Sequence, residues 1–403
     1  MKLENLQIKG QRILMRVDFN VPLDSSNAVT YDTRISETLP TIRFLLENGG
    51  RLILMSHLGR PEKKLKEDGS LDREKFTMHH TIAALSKLLG QDVKFVDDTI
   101  GLKVETAVNN LKDGEVLMLE NTRFYKEETK GDEAFAKSLA SLADIYVNDA
   151  FGAAHREHAS TATVAKFFPA EKKAFGFLMR LELESSSKLL NNPQKPYVAI
   201  LGGAKVSDKI LLLEKLVDIV DTLIIGGGMA YTLLKAKGAK IGNSLVEEDK
   251  LDVAKDFLAK AAAKGVAVLL PDDSIVADKF DNAANTQLLS SFEIPDGWMG
   301  LDIGPKATAI FRAAILSAKS ILWNGPMGVF EMSSFSKGTQ AIAEAVAEAT
   351  ANGAFSLVGG GDSVAALHKS GKADEVSHVS TGGGATLEYL QGNILPGVVA
   401  IES

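Results

Sequence analysis

Four short segments in the first half of the chain set cationic side chains beside amides and carboxylates. They are Arg16-Val17-Asp18-Phe19-Asn20-Val21-Pro22, Ser56-His57-Leu58-Gly59-Arg60-Pro61, Glu120-Asn121-Thr122-Arg123-Phe124 and Ala154-His155-Arg156-Glu157-His158. Guanidinium forks match the paired oxygens of carboxylate and phosphate, a geometry that lysine lacks. Taken alone, each arginine reads as an ordinary solvated surface residue. Cations placed after four different strands of one sheet would instead converge in space, and a small polyanion is their natural ligand. His155 and His158 could start a metal site, but no further ligand is identifiable, so the pair does not make one.

The second half carries a different chemistry. Glycine clusters recur in Leu201-Gly202-Gly203-Ala204-Lys205-Val206-Ser207-Asp208-Lys209, Gly226-Gly227-Gly228-Met229, Asn324-Gly325-Pro326-Met327-Gly328, Gly359-Gly360-Gly361-Asp362-Ser363 and Thr381-Gly382-Gly383-Gly384. Glycine between a strand and a helix lets backbone amides approach phosphate, which the positive helix N-terminus also favours. One glycine pair is explained by a tight turn. Five clusters in one half, with Lys205 and Lys209 in the first and Asp362 in the fourth, read as a nucleotide site. Neither the P-loop spacing nor the dinucleotide Gly-x-Gly-x-x-Gly fingerprint occurs, which excludes those two classes of nucleotide enzyme.

The elements that must position these loops follow from periodicity. Short apolar runs ending in Gly, Asn or Asp alternate with helical segments, the pattern of strand-helix repeats and parallel sheets. Strands are expected over 13–20, 52–57, 93–96, 116–120 and 145–148, then over 197–201, 223–225, 266–270, 321–323, 355–358 and 378–380. Their apolar residues run together, so both faces should be covered by helices. Leu39, Ile42 and Leu45 share a helical face, as do Phe135, Leu139 and Leu142, Ile210, Leu213, Val217 and Val220, and Val253, Phe257 and Ala261. A helix over 179–190 running into Asn191-Asn192-Pro193-Gln194-Lys195-Pro196 marks the junction between halves. In open parallel sheets the ligand site lies beyond the carboxyl ends of the strands, where the cationic and glycine-rich loops fall.

At 403 residues the chain exceeds what one hydrophobic core usually serves, and two domains are expected. The 45 Lys and Arg against 52 Asp and Glu give a net charge of −7, which argues against a nucleic-acid or membrane-surface protein. With no cysteine, thiol catalysis, disulfides and thiolate metal sites are excluded, in keeping with a reducing cytoplasm. The start of the chain lacks the pattern of a secretory signal and no run suffices to span a bilayer, so a soluble, unexported protein is expected.

Along its whole length and in order, from Arg16-Val17-Asp18-Phe19-Asn20-Val21-Pro22 to Ser380-Thr381-Gly382-Gly383-Gly384-Ala385, the sequence resembles phosphoglycerate kinase. The resemblance implies a cytoplasmic, monomeric α/β enzyme of glycolysis and gluconeogenesis. Its fold would be two doubly wound, Rossmann-like domains joined by a hinge helix whose closure brings them together. Residues 1–171 would hold 3-phosphoglycerate or 1,3-bisphosphoglycerate, 172–191 would form the hinge helix, 192–389 would hold ADP or ATP, and 390–403 would return to the first domain.

Position by position, the resemblance implies that Asp18, Asn20, Arg34, His57, Leu58, Gly59, Arg60, Arg123 and Arg156 form the phosphoglycerate site. Arg34 would reach the transferring phosphoryl group. Lys205 and Lys209 would face phosphate, and Gly226, Gly227, Gly300 and Asn324 would line the nucleotide. Glu331 would meet the ribose, and Gly360, Gly361, Asp362 and Ser363 would form the loop where the aspartate meets the Mg2+ of the nucleotide. Ser363 stands where many family members carry Thr and keeps the hydroxyl. Arg34 and Lys205 are the expected catalytic pair. A two-domain sugar or carboxylate kinase would share the glycine loops but would need a base for a hydroxyl acceptor. A two-lobed binding protein would want an export signal and no phosphate-cradling half.

Overall fold

The continuous apolar runs become strands buried on both faces. The computed structural model describes residues 2–403, which divide into one unit of residues up to 183 together with 393–403 and a second unit of 184–392. In the first unit a six-stranded parallel sheet runs in the order Val93–Val96, Val116–Leu119, Arg51–Met55, Arg12–Arg16, Ile145–Asn148, Lys173–Phe175. Alternate side chains feed two cores. Ile13, Met15, Leu52, Leu54, Ile145 and Val147 pack on one side, and Leu14, Ile53, Met55, Leu117, Leu119 and Tyr146 on the other. Each such side chain contributes about 1.5–3 kcal/mol by leaving water, so the sheet register is pinned from both sides. The first strand ends at Arg16, short of the expected Asn20, which leaves Asp18 and Asn20 on a loop.

Three features of this unit bear on the chain's ends and its junction. The segment expected to be helical from 172 begins with the strand Lys173–Phe175, and the helix itself is Phe177–Asn191. Its first turn is tied to the first unit: Phe177 N donates to Thr41 Oγ1 at 2.8 Å and Met179 N to Asp149 Oδ1 at 2.9 Å. The terminal helix Pro396–Glu402 sits on the same sheet. Ile401 is buried in the second core, Lys173 Nζ donates to the Ala400 carbonyl at 2.9 Å, and Gly397 N to the Ala154 carbonyl at 2.9 Å.

The second unit repeats the plan with the parallel order Ala267–Leu269, Thr222–Ile225, Tyr197–Leu201, Ser320–Asn324, Phe355–Val358, His378–Val379. Tyr197, Ala199 and Leu201 face one core; Val198 and Ile200 face the other. The strand order reverses between Tyr197–Leu201 and Ser320–Asn324, and such a reversal opens a crevice at the carboxyl ends. Two smaller sheets are additions to the expected plan. One is antiparallel, with Asp273–Ala277 between Thr286–Ser290 and Met299–Ile303; the other pairs Lys240–Ile241 with Glu293–Ile294. In the helix Leu251–Ala263, Ala254, Phe257 and Ala261 are buried, whereas Val253, expected on that face, is 38 % exposed. Among the described residues no helix is long and apolar enough to cross a membrane.

Candidate functional sites on the two units

Beyond the strand ends of the first unit the cationic loops do converge. Arg34, on the one-turn helix Thr33–Ser36, donates from Nη1 to Asp18 Oδ2 at 3.1 Å and to the Asn20 carbonyl at 3.2 Å. Asn20 Oδ1 accepts from Gly59 N at 2.8 Å, and Arg123 Nη1 donates to the Gly59 carbonyl at 2.7 Å. Gly59 has φ +63°, and a Cβ there would stand 2.6 Å from the Phe76 ring, so both backbone conformation and packing require glycine. The loop's base is fixed by Asn121, whose Nδ2 donates to the carbonyls of Leu58 and Phe76 at 2.8 Å each. Leu58 is itself a core side chain, so its place in the predicted set is through its backbone. Arg60 and Arg156 are exposed, free to meet a ligand.

The field of this cluster is strongly positive and partly desolvated. Burial, with Arg16 nearby, lowers the pKa of Arg123 to about 10. Burial first, then Arg123 and Arg16, push His57 well below its ordinary range and His158 to about 3. Both imidazoles are therefore neutral, since placing further charge among guanidiniums out of water is costly. An anion is the ligand that relieves this arrangement.

In the second unit two cavities adjoin at Gly203, Ala204 and Asp362. The smaller, about 300 Å³, is lined by Lys205, Lys209, Asn324, Gly360, Gly361 and Ser363 among others. Lys209 donates from Nζ to Asn324 Oδ1, and burial lowers its pKa. Lys205 is exposed at the rim. Asp362 stands in the first turn of the helix Gly361–Lys369, with its side chain open to solvent, and Ser363 Oγ accepts from Gly325 N.

The larger cavity, about 460 Å³, is lined by Gly227, Tyr231, Phe280, Gly300, Met327 and Glu331 among others. Its glycines are there because neighbouring main chain or the Tyr231 side chain touches them. A Cβ on Gly227 (φ +67°) would lie 2.6 Å from the Gly203 carbonyl oxygen, and one on Gly300 1.8 Å from the Tyr231 hydroxyl. Gly226 lies behind this wall, against Met327, and lines neither cavity. Asp302 braces the far side: its carboxylate accepts from Ile303 N at 2.9 Å and Gly338 N at 2.8 Å, and burial pushes its pKa up to about 7.

Sequence reasoning missed part of each half. Arg16 is fully buried at the end of its strand and touches His57, with Ser160 and Glu128 behind it. An arginine inside an apolar strand was the available signal. Tyr231, Leu245, Phe280 and Met299, which give the larger cavity its apolar wall, carry no signal that separates them from core residues.

Comparison with known proteins agrees over the whole chain. The phosphoglycerate kinase family profile matches residues 3–393. The chain is 54 % identical over 396 residues to the chloroplastic phosphoglycerate kinase of Volvox carteri, covering 98 % of this chain and 84 % of that one. It is 53 % identical over 399 residues to the phosphoglycerate kinase of Moorella thermoacetica, covering 99 % and 98 %. The structure of phosphoglycerate kinase from Coxiella burnetii superposes with a TM-score of 0.87 at 42 % identity, covering 100 % of this chain and 98 % of that one.

Proposed function

This chain belongs to the phosphoglycerate kinase family and catalyses the reversible transfer of a phosphoryl group from 1,3-bisphosphoglycerate to ADP in glycolysis, and we propose that its two units divide the substrates between them. The first unit holds 3-phosphoglycerate or 1,3-bisphosphoglycerate among Asn20, Arg34, His57, Gly59, Arg60, Arg123 and Arg156, with Asp18 aiming Arg34. The second holds the nucleotide, its phosphates in the smaller cavity and its base and ribose in the larger, with Glu331 toward the ribose. The observation that carries this reading is the segregation of guanidiniums and neutral imidazoles onto one unit and glycine-walled cavities with two lysines onto the other.

In the forward reaction an oxygen of the ADP terminal phosphate forms the new bond to phosphorus. The bond from phosphorus to the carboxyl oxygen breaks, and its electron pair leaves on the carboxylate. The attacking oxygen is already ionised at neutral pH, so no general base is needed, and catalysis consists of positioning and charge stabilisation. Arg34 places its guanidinium on the phosphoryl group in flight, fixed by Asp18 and the Asn20 carbonyl. Lys205 and the amides of the 359–361 loop face the oxygens from the nucleotide side.

Mg2+ fits this arrangement. Asp362, open to solvent at the smaller cavity, is the carboxylate that would hold the ion together with the nucleotide's own oxygens, the ligand pattern this ion favours. When bound, it neutralises phosphate charge. We further place the enzyme in the cytoplasm as a monomer, on its lack of cysteine and on family analogy. The test is an assay of 3-phosphoglycerate with Mg-ATP, reading the acyl phosphate formed. Turnover that requires both substrates and stops in excess chelator is expected. Turnover undiminished by chelator overturns the metal assignment, and absence of turnover overturns the assigned reaction.

A further inference from the structure

The orientation of His57 is set from behind. Arg16, wholly buried, donates from Nε to Ser160 Oγ at 2.8 Å and from Nη1 to the Val17 carbonyl, while Nη2 lies 3.0 Å from His57 Nδ1. A guanidinium has donors and no acceptor. His57 Nδ1 must therefore accept, and the single hydrogen of the neutral ring must sit on Nε2. Ser160 Oγ, having accepted from Arg16, donates to Glu128 Oε1 at 2.6 Å, and Ser160 N donates to Glu128 Oε2 at 3.0 Å. Glu128 is completely buried and supplies the counter-charge at one hydroxyl's remove. Tyr146 fixes the middle of the chain by donating its hydroxyl to the Ser160 carbonyl at 2.9 Å.

We propose that Glu128, Ser160 and Arg16 form a buried relay that holds His57 in the Nε2–H tautomer, so that the ring offers a neutral hydrogen-bond donor to the anionic oxygens of the substrate. Arg16 is thus a positioning residue. A simple core ion pair would join Arg16 to Glu128 directly and save the cost of burying two separated charges. Here the guanidinium is instead spread between a hydroxyl, a carbonyl and an imidazole. The groups facing His57 are consistent with this: Arg34, Arg123 and His158 add positive potential or a neutral ring, and the nearest carboxylate oxygen, Asp18 Oδ1, is 4.0 Å from Nδ1, beyond hydrogen-bond reach. The role toward substrate rests on the reading of the first unit as the phosphoglycerate site; the tautomer does not.

The test uses the full chain labelled with 15N, without substrate, at pH 7. Two-bond proton–nitrogen correlations report which imidazole nitrogen is protonated, and His57→Gln assigns the ring. Nε2–H as the sole form is the expected result. In Ser160→Ala and Glu128→Gln the spectrum should turn to a mixture of tautomers. KM for 3-phosphoglycerate should rise roughly tenfold, the loss of about one hydrogen bond, with KM for ATP unchanged. An Nδ1–H or doubly protonated ring in the unsubstituted enzyme overturns the proposal even if neither variant folds. So do folded variants with an unchanged spectrum and unchanged KM. Failure of 3-phosphoglycerate to bind the unsubstituted enzyme would strike the substrate assignment and leave the tautomer standing.

Discussion

Asp18 holds Arg34: the carboxylate accepts from the guanidinium at 3.1 Å, although it places negative charge in a site built to attract anions. The pair is partly buried, and its value lies in aiming Arg34. Asp18→Asn should leave affinity for 3-phosphoglycerate unchanged or better, because a negative charge is removed. It should lower kcat by roughly 10- to 100-fold, because the guanidinium loses its anchor and small misplacements are costly. Steady-state kinetics beside calorimetric binding separate the two effects. Weaker binding with normal kcat would mean that Asp18 touches substrate instead.

Arg123 has the opposite profile. Its Nη1 holds the Gly59 carbonyl while its charge faces the cluster, so it acts on the ground state. Arg123→Ala should raise KM for 3-phosphoglycerate at least tenfold, on the order of a lost charge-assisted hydrogen bond, with a smaller change in kcat. Arg123→Lys should rescue little, since an ammonium cannot span the carbonyl and an anion together. Full rescue by lysine would reduce the role to charge alone.

Lys205 and Lys209 line one cavity but should not behave alike. Lys209 is engaged with Asn324 and partly buried, whereas Lys205 is open at the rim, available to charge that appears during transfer. Lys205→Met should cut kcat by about 10²- to 10³-fold, typical for a preorganised donor. Lys209→Met should chiefly raise KM for nucleotide. A Lys205→Met enzyme with near-normal kcat would make Lys205 a binding residue.

Much of this was legible before the fold was known, and the reasons differ by residue. The two large sheets were readable because strands such as Ile145–Asn148 are buried on both faces and so are uniformly apolar. The antiparallel sheet was not, because Thr286–Ser290 lies at an exposed edge and its residues carry no buried face to record. Arg123 and Lys205 were singled out because each follows an expected strand end, whereas Arg34, on the one-turn helix Thr33–Ser36, follows no strand end and was named only through the family resemblance. Arg16 was hidden by its own burial, as its partners Ser160 and Glu128 are far away in sequence. The glycine loops were seen, but their cause was only half right: Gly227 and Gly300 also allow main chains and Tyr231 to touch.

The basic cluster should leave a mark on stability against pH. His57 and His158 have folded pKa values depressed by burial and by Arg123, the latter to about 3, against 6.5 in the unfolded chain. The unfolded state then binds more protons below that value. Their contribution is thus complete above about pH 6.5 and is lost progressively as pH falls toward the folded pKa. Thermal midpoints should fall between pH 7 and pH 4.5, and His158→Gln should flatten that fall relative to the unsubstituted protein. Identical slopes would show that His158 is not held neutral.

The division of substrates between the two units is tested most directly by mapping backbone amide shifts of the labelled protein on titration with 3-phosphoglycerate alone. Shifts concentrated at 18–20, 34, 57–60, 123 and 156–158, with the glycine loops at 202–209 and 359–363 unmoved, are the predicted result. Shifts centred on those glycine loops, with the arginine cluster silent, would contradict it.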